Sequence, residues 1–288
     1  MRSILVKACR EGGFAYFLNT GIPQAEVDSM FEWSRKLFSL PNKAKMLAAH
    51  PKEIWKNRGY TRFGREQFPQ EEFDASELAA IRKPNVVPQE SFDIGRDNSP
   101  RVSNVWLPEE VLPGFRDAAS AFFDTCRQFE LEKLLPALSL GLGLPGGGEF
   151  LENMHGKGDN QIRLLHYPAT PAETFASDAA MMFEVESPSG SGNFVPAPPI
   201  PGTVAFNTAD LLTRLSNGTL ISTLHRVRAP PNDGTGMIRE RFSIPYFINP
   251  DEDIVVDCLP GCWGEDKPKK YEPVQGWAYI DTRIEATY

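Results

Sequence analysis

The chain is short of several things that would settle its class at once. It has four cysteines and four histidines among 288 residues. Four cysteines make no disulfide framework, and Cys258-x-x-x-Cys262 has no second pair to complete a zinc knuckle. There is no long apolar run. The best stretch, Leu134–Leu144, is broken by Pro136, Ser139 and two glycines. That is far below the roughly 20 apolar residues needed to span a bilayer. The N-terminus lacks an uninterrupted apolar segment, because Lys7, Arg10 and Glu11 fall inside it. A secretory signal is not expected, and a reduced cytoplasmic protein is. Positive charge is also scarce. Thirty Lys and Arg stand against 38 Asp and Glu, for a net charge of −8. A nucleic-acid or anionic-membrane surface is therefore not expected. No repeat of 20–50 residues is visible.

What is present is turn chemistry, with 23 glycines and 25 prolines. So many chain breakers argue against a helical bundle and for a β-containing fold. Gly13–Leu18 reads as a short aromatic strand, and Asn19–Pro23 as a turn. From Gln24, apolar residues recur at helical spacing (Val27, Met30, Phe31, Leu37, Phe38) until Pro41 stops the run. The proline-studded stretch from Pro51 to Pro108 reads mainly as loop. A second helix is expected from about Glu109 to Leu140, with Phe115, Ala119, Phe122, Cys126 and Phe129 as its apolar stripe. After Gly146-Gly147-Gly148 the texture becomes strand-like, at Gln161–Tyr167, Thr203–Asn207, Leu220–Val227 and Arg241–Ile248. The expectation is one compact α+β unit, with helices outside a small antiparallel sandwich or barrel. Its helical and loop part covers residues 1–110, and a helix plus the β core covers 111–288.

Chemistry has few residues to work with. His50 lies in a polar loop and His155 beside Gly156 and Gly158, so both read as solvent-facing. His166 and His225 lie in strand-like segments. Downstream of His225, alternation places Arg241 and Ser243 on one strand face and Phe242 on the other. A guanidinium and a hydroxyl buried together need an anion, and this pair suits one carboxylate. An internal acid such as Asp210 is the alternative partner for Arg241.

At this point the sequence resembles the non-haem iron(II), 2-oxoglutarate-dependent oxygenases of the isopenicillin-N-synthase-like branch. The resemblance rests on ordered fragments: Ala8-Cys9-Arg10-Glu11-Gly12-Gly13-Phe14, Asn19–Pro23, Phe38-Ser39-Leu40-Pro41, Arg58-Gly59-Tyr60, Arg163–Pro168, Val195–Gly202, Asn207-x-x-Asp210, His225-Arg226-Val227 and Arg241-x-Ser243. It implies a distorted double-stranded β-helix, or jelly roll, flanked by N-terminal and central helices. It implies Fe(II) on two histidines and a carboxylate, with 2-oxoglutarate beside it. On matching positions His225 is an iron ligand, Arg241 and Ser243 grip the distal carboxylate of 2-oxoglutarate, and Tyr167 adds a hydrogen bond. The His-x-Asp pair of the family falls at Ala176-Ser177-Asp178, so Asp178 takes the carboxylate place and an alanine takes the histidine place. Met182-Phe183-Glu184-Val185 then follows sooner than the family pattern implies. Met1 also begins almost inside the family's first helix.

The resemblance thus implies a monomeric dioxygenase that oxidises a small, mostly apolar molecule in secondary metabolism, with an incomplete iron site. The alternative is a pseudo-oxygenase that uses the same pocket for a non-redox step or for binding. Phe63, Phe68, Phe73, Trp263, Trp277 and Tyr279 are the candidate aromatic lining.

Overall fold

A computed structural model describes residues 2–65, 89–171, 182–228 and 236–285. Helix α1 (Arg2–Glu11) leads through a glycine corner into strand β1 (Phe14–Leu18). Helix α2 (Gln24–Phe38) matches the apolar spacing and stops before Pro41, and the short α3 (Asn42–Lys45) starts there. The stretch expected to be loop holds two strands, β2 (Gly59–Thr61) and β3 (Glu90–Gly95). β3 is buried along its whole length. Its pattern is disguised because Glu90 and Asp93 sit within it, each neutralised by a partner distant in sequence. At the start of β2, Gly59 has a φ of +77°, and a Cβ there would lie 2.5 Å from the Ala48 carbonyl oxygen, so only glycine fits.

The central helix begins later than its periodicity suggests. Gly114 holds a left-handed conformation, and α4 runs Phe115–Phe129. A π-helical stretch, Glu130–Leu134, precedes α5 (Leu135–Leu142). Pro136 accounts for the irregularity, since its ring crowds the carbonyl four residues back and it lacks an N–H. A single turn, α6 (Glu149–Glu152), leads to β4 (Gln161–Tyr167) and β5 (Thr170–Pro171). Then come β6 (Met182–Glu186), β7 (Phe194–Pro196), β8 (Thr203–Asn207), α7 (Asp210–Leu215) and β9 (His225–Arg228). The strand expected from Leu220 starts only at His225. The backbone before it is engaged elsewhere, with Leu220 N bonded to Ser216 Oγ and Ile221 N to the Cys9 carbonyl. β10 (Met237–Ile238), β11 (Arg241–Ser243) and β12 (Tyr246–Phe247) follow, and Pro245 divides the last two. β13 (Val255–Val256), β14 (Val274–Gln275) and α8 (Gly276–Glu285) complete the described chain.

The strands form antiparallel sheets. The largest has the order β11-β4-β3-β2, with β12 also on β4. A three-stranded sheet has the order β7-β6-β9, and β1 pairs with β8. In the large sheet, the register separates two faces. Tyr60, Phe92, Ile162, Leu164, Phe242 and Tyr246 point toward α2 and α4, where Met30, Leu37, Phe38, Phe115 and Phe122 complete the core. A second apolar cluster joins α1, α5 and the segment around Val256 and Leu259.

Candidate active site

The other face of the large sheet is polar, although it is buried on most of β2, β3 and β4 and half-buried at Arg241 and Ser243. By register it carries Thr61 on β2, Ser91 and Asp93 on β3, Gln161, Arg163, Leu165 and Tyr167 on β4, and Arg241 and Ser243 on β11. No core residue of the helix-facing cluster comes from this set. Polar side chains withdrawn from water must be hydrogen-bonded or await a ligand. Most of these are bonded. Arg163 grips Asp93 with two nitrogens, Nε to Oδ1 at 2.7 Å and Nη2 to Oδ2 at 3.2 Å. Gln161 Nε2 donates to Asp93 Oδ1 at 2.5 Å, and Arg163 Nη2 donates to Asn57 Oδ1 at 3.0 Å.

Arg241 differs. It lies directly opposite Tyr167, and its guanidinium carbon sits 5.2 Å from the centre of the Tyr167 ring. Its Nη1 is buried and has no hydrogen-bond partner. The internal acid considered as its partner, Asp210, pairs instead with Arg283 at 2.8 Å. Ser243 stands two residues along the same strand and face. An unpartnered guanidinium nitrogen next to a hydroxyl and a phenol ring is the arrangement that a carboxylate completes. The residues present therefore fit 2-oxoglutarate.

The opposite face fixes this strand. Phe242, between Arg241 and Ser243, stacks on His166 with ring centres 4.8 Å apart, and His166 stacks on Phe38 at 5.3 Å. His166 points away from the Arg241 face, as strand alternation requires. Its Nδ1 lies 2.7 Å from Glu90 and its Nε2 2.8 Å from Glu240. Glu90, only 1% exposed, also receives Lys45 Nζ at 2.6 Å and the Tyr60 hydroxyl. Burial would raise the Glu90 pKa, but the bonds from His166, Lys45 and Tyr60 outweigh it and hold the carboxyl below its ordinary range.

His225 opens β9 at the edge of the three-stranded sheet, opposite Val185. Phe14 and Phe183 flank its ring at 5.5 and 5.4 Å. Its Nδ1 lies 3.3 Å from the Thr223 carbonyl, which can only accept, so the neutral ring with its hydrogen on Nδ1 presents Nε2 as the free nitrogen. This is the tautomer that binds a metal through Nε2. Ala176 and Asp178 lie outside the described residues. Among the described residues, no three His, Cys, Asp or Glu side chains converge as a metal site. The structure therefore groups Arg241, Ser243 and Tyr167 on one sheet face and places His225 on another sheet.

Two histidines are corrected. His50 and His155 are both 5% exposed, not solvent-facing. Burial, with the Arg127 guanidinium nearby, pushes His155 down to about 4. The glycines around it form a turn folded against Asp251, whose carboxylate accepts from the Lys157 and Gly158 amides. Of the expected aromatic lining, Trp263 and Trp277 are exposed and stack on Lys269 and Arg101. Tyr279 stacks on Arg214, and Phe63 is exposed. Phe68 and Phe73 lie outside the described residues. Sequence reasoning missed the polar face that carries Thr61, Asp93 and Arg163, because β2 and β3 were not visible as strands.

Helices thus pack around antiparallel sheets, and one strand carries a buried guanidinium nitrogen that has no partner. Comparison with known proteins identifies the family. Residues 173–250 match the 2OG-Fe(II) oxygenase superfamily, and residues 2–109 match the N-terminal domain of the non-haem dioxygenases in morphine synthesis. A 2-oxoglutarate-dependent dioxygenase, frbA, from a Dothideomycetidae species is 33% identical over 313 residues, covering 99% of this chain and 90% of the relative. The proline hydroxylase buaE of Petromyces alliaceus is 29% identical, covering 99% of this chain and 92% of its own. A full-length Neurospora crassa protein, crystallised in complex with α-ketoglutarate and thymine, is 32% identical. That match covers all of this chain and 91% of the other, and it superposes with a TM-score of 0.85. The chain belongs to the 2OG-Fe(II) oxygenase superfamily and has its jelly-roll fold. The family's cofactors are Fe(II) and 2-oxoglutarate, and its relatives here include fungal 2-oxoglutarate-dependent dioxygenases. Among the described residues, no helix is long and apolar enough to cross a membrane.

Proposed function

We propose that the protein binds 2-oxoglutarate on the Arg241–Ser243–Tyr167 face and acts as an oxygenase on a small, mostly apolar molecule, with His225 and Asp178 as iron ligands. The observation that carries the reading is Arg241 Nη1, a buried donor with no partner. In this arrangement Arg241 and Ser243 hold the distal carboxylate, and Tyr167 closes the side of the guanidinium. Phe242, clamped on His166, keeps both donors in register. When held there, 2-oxoglutarate would supply the two electrons that accompany its conversion to succinate and carbon dioxide, the driving force for the oxidation.

The test is a thermal melt with 2-oxoglutarate. A hundredfold excess over the dissociation constant stabilises the folded state by about 2.7 kcal/mol. Arg241→Leu is expected to remove that shift. An unchanged shift in the variant assigns the diacid to another site and rejects the reading.

One sequence observation supports a second reading, a pseudo-oxygenase with the same pocket. On the family resemblance, Ala176 takes the place of an iron-binding histidine. The frbA match spans 313 positions, more than the 288 residues of this chain, so the relative contains residues within the match that this chain lacks. With two protein ligands, iron affinity falls well below that of the three-ligand facial arrangement.

A further inference from the structure

Besides Arg241, the polar face holds a second buried group with nothing to bond. Thr61 is 2% exposed, and its Oγ1 has no hydrogen-bond partner. It faces the same side as Arg241, because Thr61 pairs with Ser91, Ser91 with Leu165, and Leu165 with Ser243. That row crosses three strand spacings, so Thr61 lies roughly 14 Å from Ser243 across the sheet. A five-carbon diacid held at Ser243 is too short to reach it.

We propose that Thr61 is a specificity-determining residue whose hydroxyl anchors the substrate, and that it takes an uncharged hydrogen-bonding group such as an amide or lactam. The inference rests on the reading of Arg241 and Ser243 as the 2-oxoglutarate grip.

The neighbouring charges decide the class. Asp93 and Arg163 form a two-pronged pair, with Gln161 and Asn57 on their remaining edges. A charged substrate end placed beside Thr61 would be buried without an available counter-charge, which is costly. A neutral carbonyl or N–H needs only the hydroxyl, which can donate or accept. The β-branched side chain holds that hydroxyl in few rotamers, so the group is oriented before the ligand arrives. The protein keeps a buried unpaired hydroxyl where valine would have the same shape; Ser34, Thr208 and Thr223 also carry one, and Thr61 stands apart because it lies on the sheet face that holds Arg241 and Ser243.

The experiment uses the whole chain with three variants. Ligand-free Thr61→Val is expected to melt above the wild type, since it removes a polar atom that lacks a partner. A lower melting point would mean that the hydroxyl is bonded inside the protein, and would overturn the proposal. Next, with 2-oxoglutarate saturating, thymine, pyrrolidin-2-one and cyclo-glycyl-proline serve as uncharged amide probes, and L-proline as the charged one. At least one neutral probe is expected to raise the melting temperature of the wild type, and L-proline is not. Thr61→Val should weaken that probe about tenfold, the scale of one lost hydrogen bond, and Thr61→Ser should retain it. No shift from any neutral probe, or equal shifts in wild type and Thr61→Val, overturns the proposal. The 2-oxoglutarate shift of the same samples, with Arg241→Leu as control, separates the two failures. If it is intact, only the role of Thr61 falls. If it is absent from the wild type, the grip on which the proposal stands falls first.

Discussion

Glu90→Gln tests how the outer face of the sheet supports the site. Glu90 is a buried carboxylate with three donors, the Lys45 ammonium at 2.6 Å, His166 Nδ1 at 2.7 Å and the Tyr60 hydroxyl. Lys45 is itself buried, with 4% of its side chain exposed. Glutamine keeps the shape but removes the charge, and it replaces one acceptor oxygen with a donor facing other donors. Breaking one partner out of a buried ion pair costs about 3–5 kcal/mol, because the other charge is left uncompensated. Against a total of about 5–15 kcal/mol for a typical domain, that is a large fraction. The measurement is a urea or thermal melt of the variant. Lys45→Met combined with Glu90→Gln removes both charges and should recover part of the loss. Glutamine leaves one acceptor oxygen for three donors, so the His166 bond that braces Phe242 is contested and the 2-oxoglutarate shift should also shrink. A Glu90→Gln protein within about 1 kcal/mol of wild type would refute the reasoning, since a fully paired buried charge cannot be that dispensable. So would a double variant that is no better than the single one.

Acid should destabilise the fold for two reasons of the same sign. His155 is held down to about 4, below its unfolded value near 6.5, so the unfolded chain binds more protons between those values and stability falls as pH drops through them. The full difference is worth about 3 kcal/mol, and His155→Leu should flatten that part of a melting-temperature profile. Glu90, held below its ordinary range, contributes stability above the unfolded carboxyl value that is lost on further acidification. The two readings separate on iron: with only two protein ligands, anaerobic protein given Fe(II) and 2-oxoglutarate shows no strong charge-transfer band, whereas an active oxygenase shows one. A clear band at micromolar iron would reveal a third protein ligand. If the chain forms no succinate, as the second reading requires, Ala176→His alone should not restore it, whereas that histidine with a family-length hairpin should. Equal turnover by both would show that one imidazole was all that was missing.

The sequence by itself determined the class of fold, since chain breakers excluded a bundle and α2, α4, β1, β4 and β8 follow from local periodicity and turn residues. It also carried the pairing of Arg241 with Ser243 on one face and Phe242 on the other, because strand alternation is a local rule. Tertiary structure alone decided the rest. β3 could not be seen beforehand, since Glu90 and Asp93 look like loop residues until Lys45 and Arg163 arrive to neutralise them. His155 looked exposed because burial is a property of neighbours, not of flanking glycines. The Asp210 alternative for Arg241 was settled only by Arg283 taking that acid. Thr61 became a candidate only when β2 met β3 and its hydroxyl was left without a partner. Local rules say which way a side chain points along a strand, but pairing across the sheet determines which charges are compensated and which polar atoms remain for a ligand.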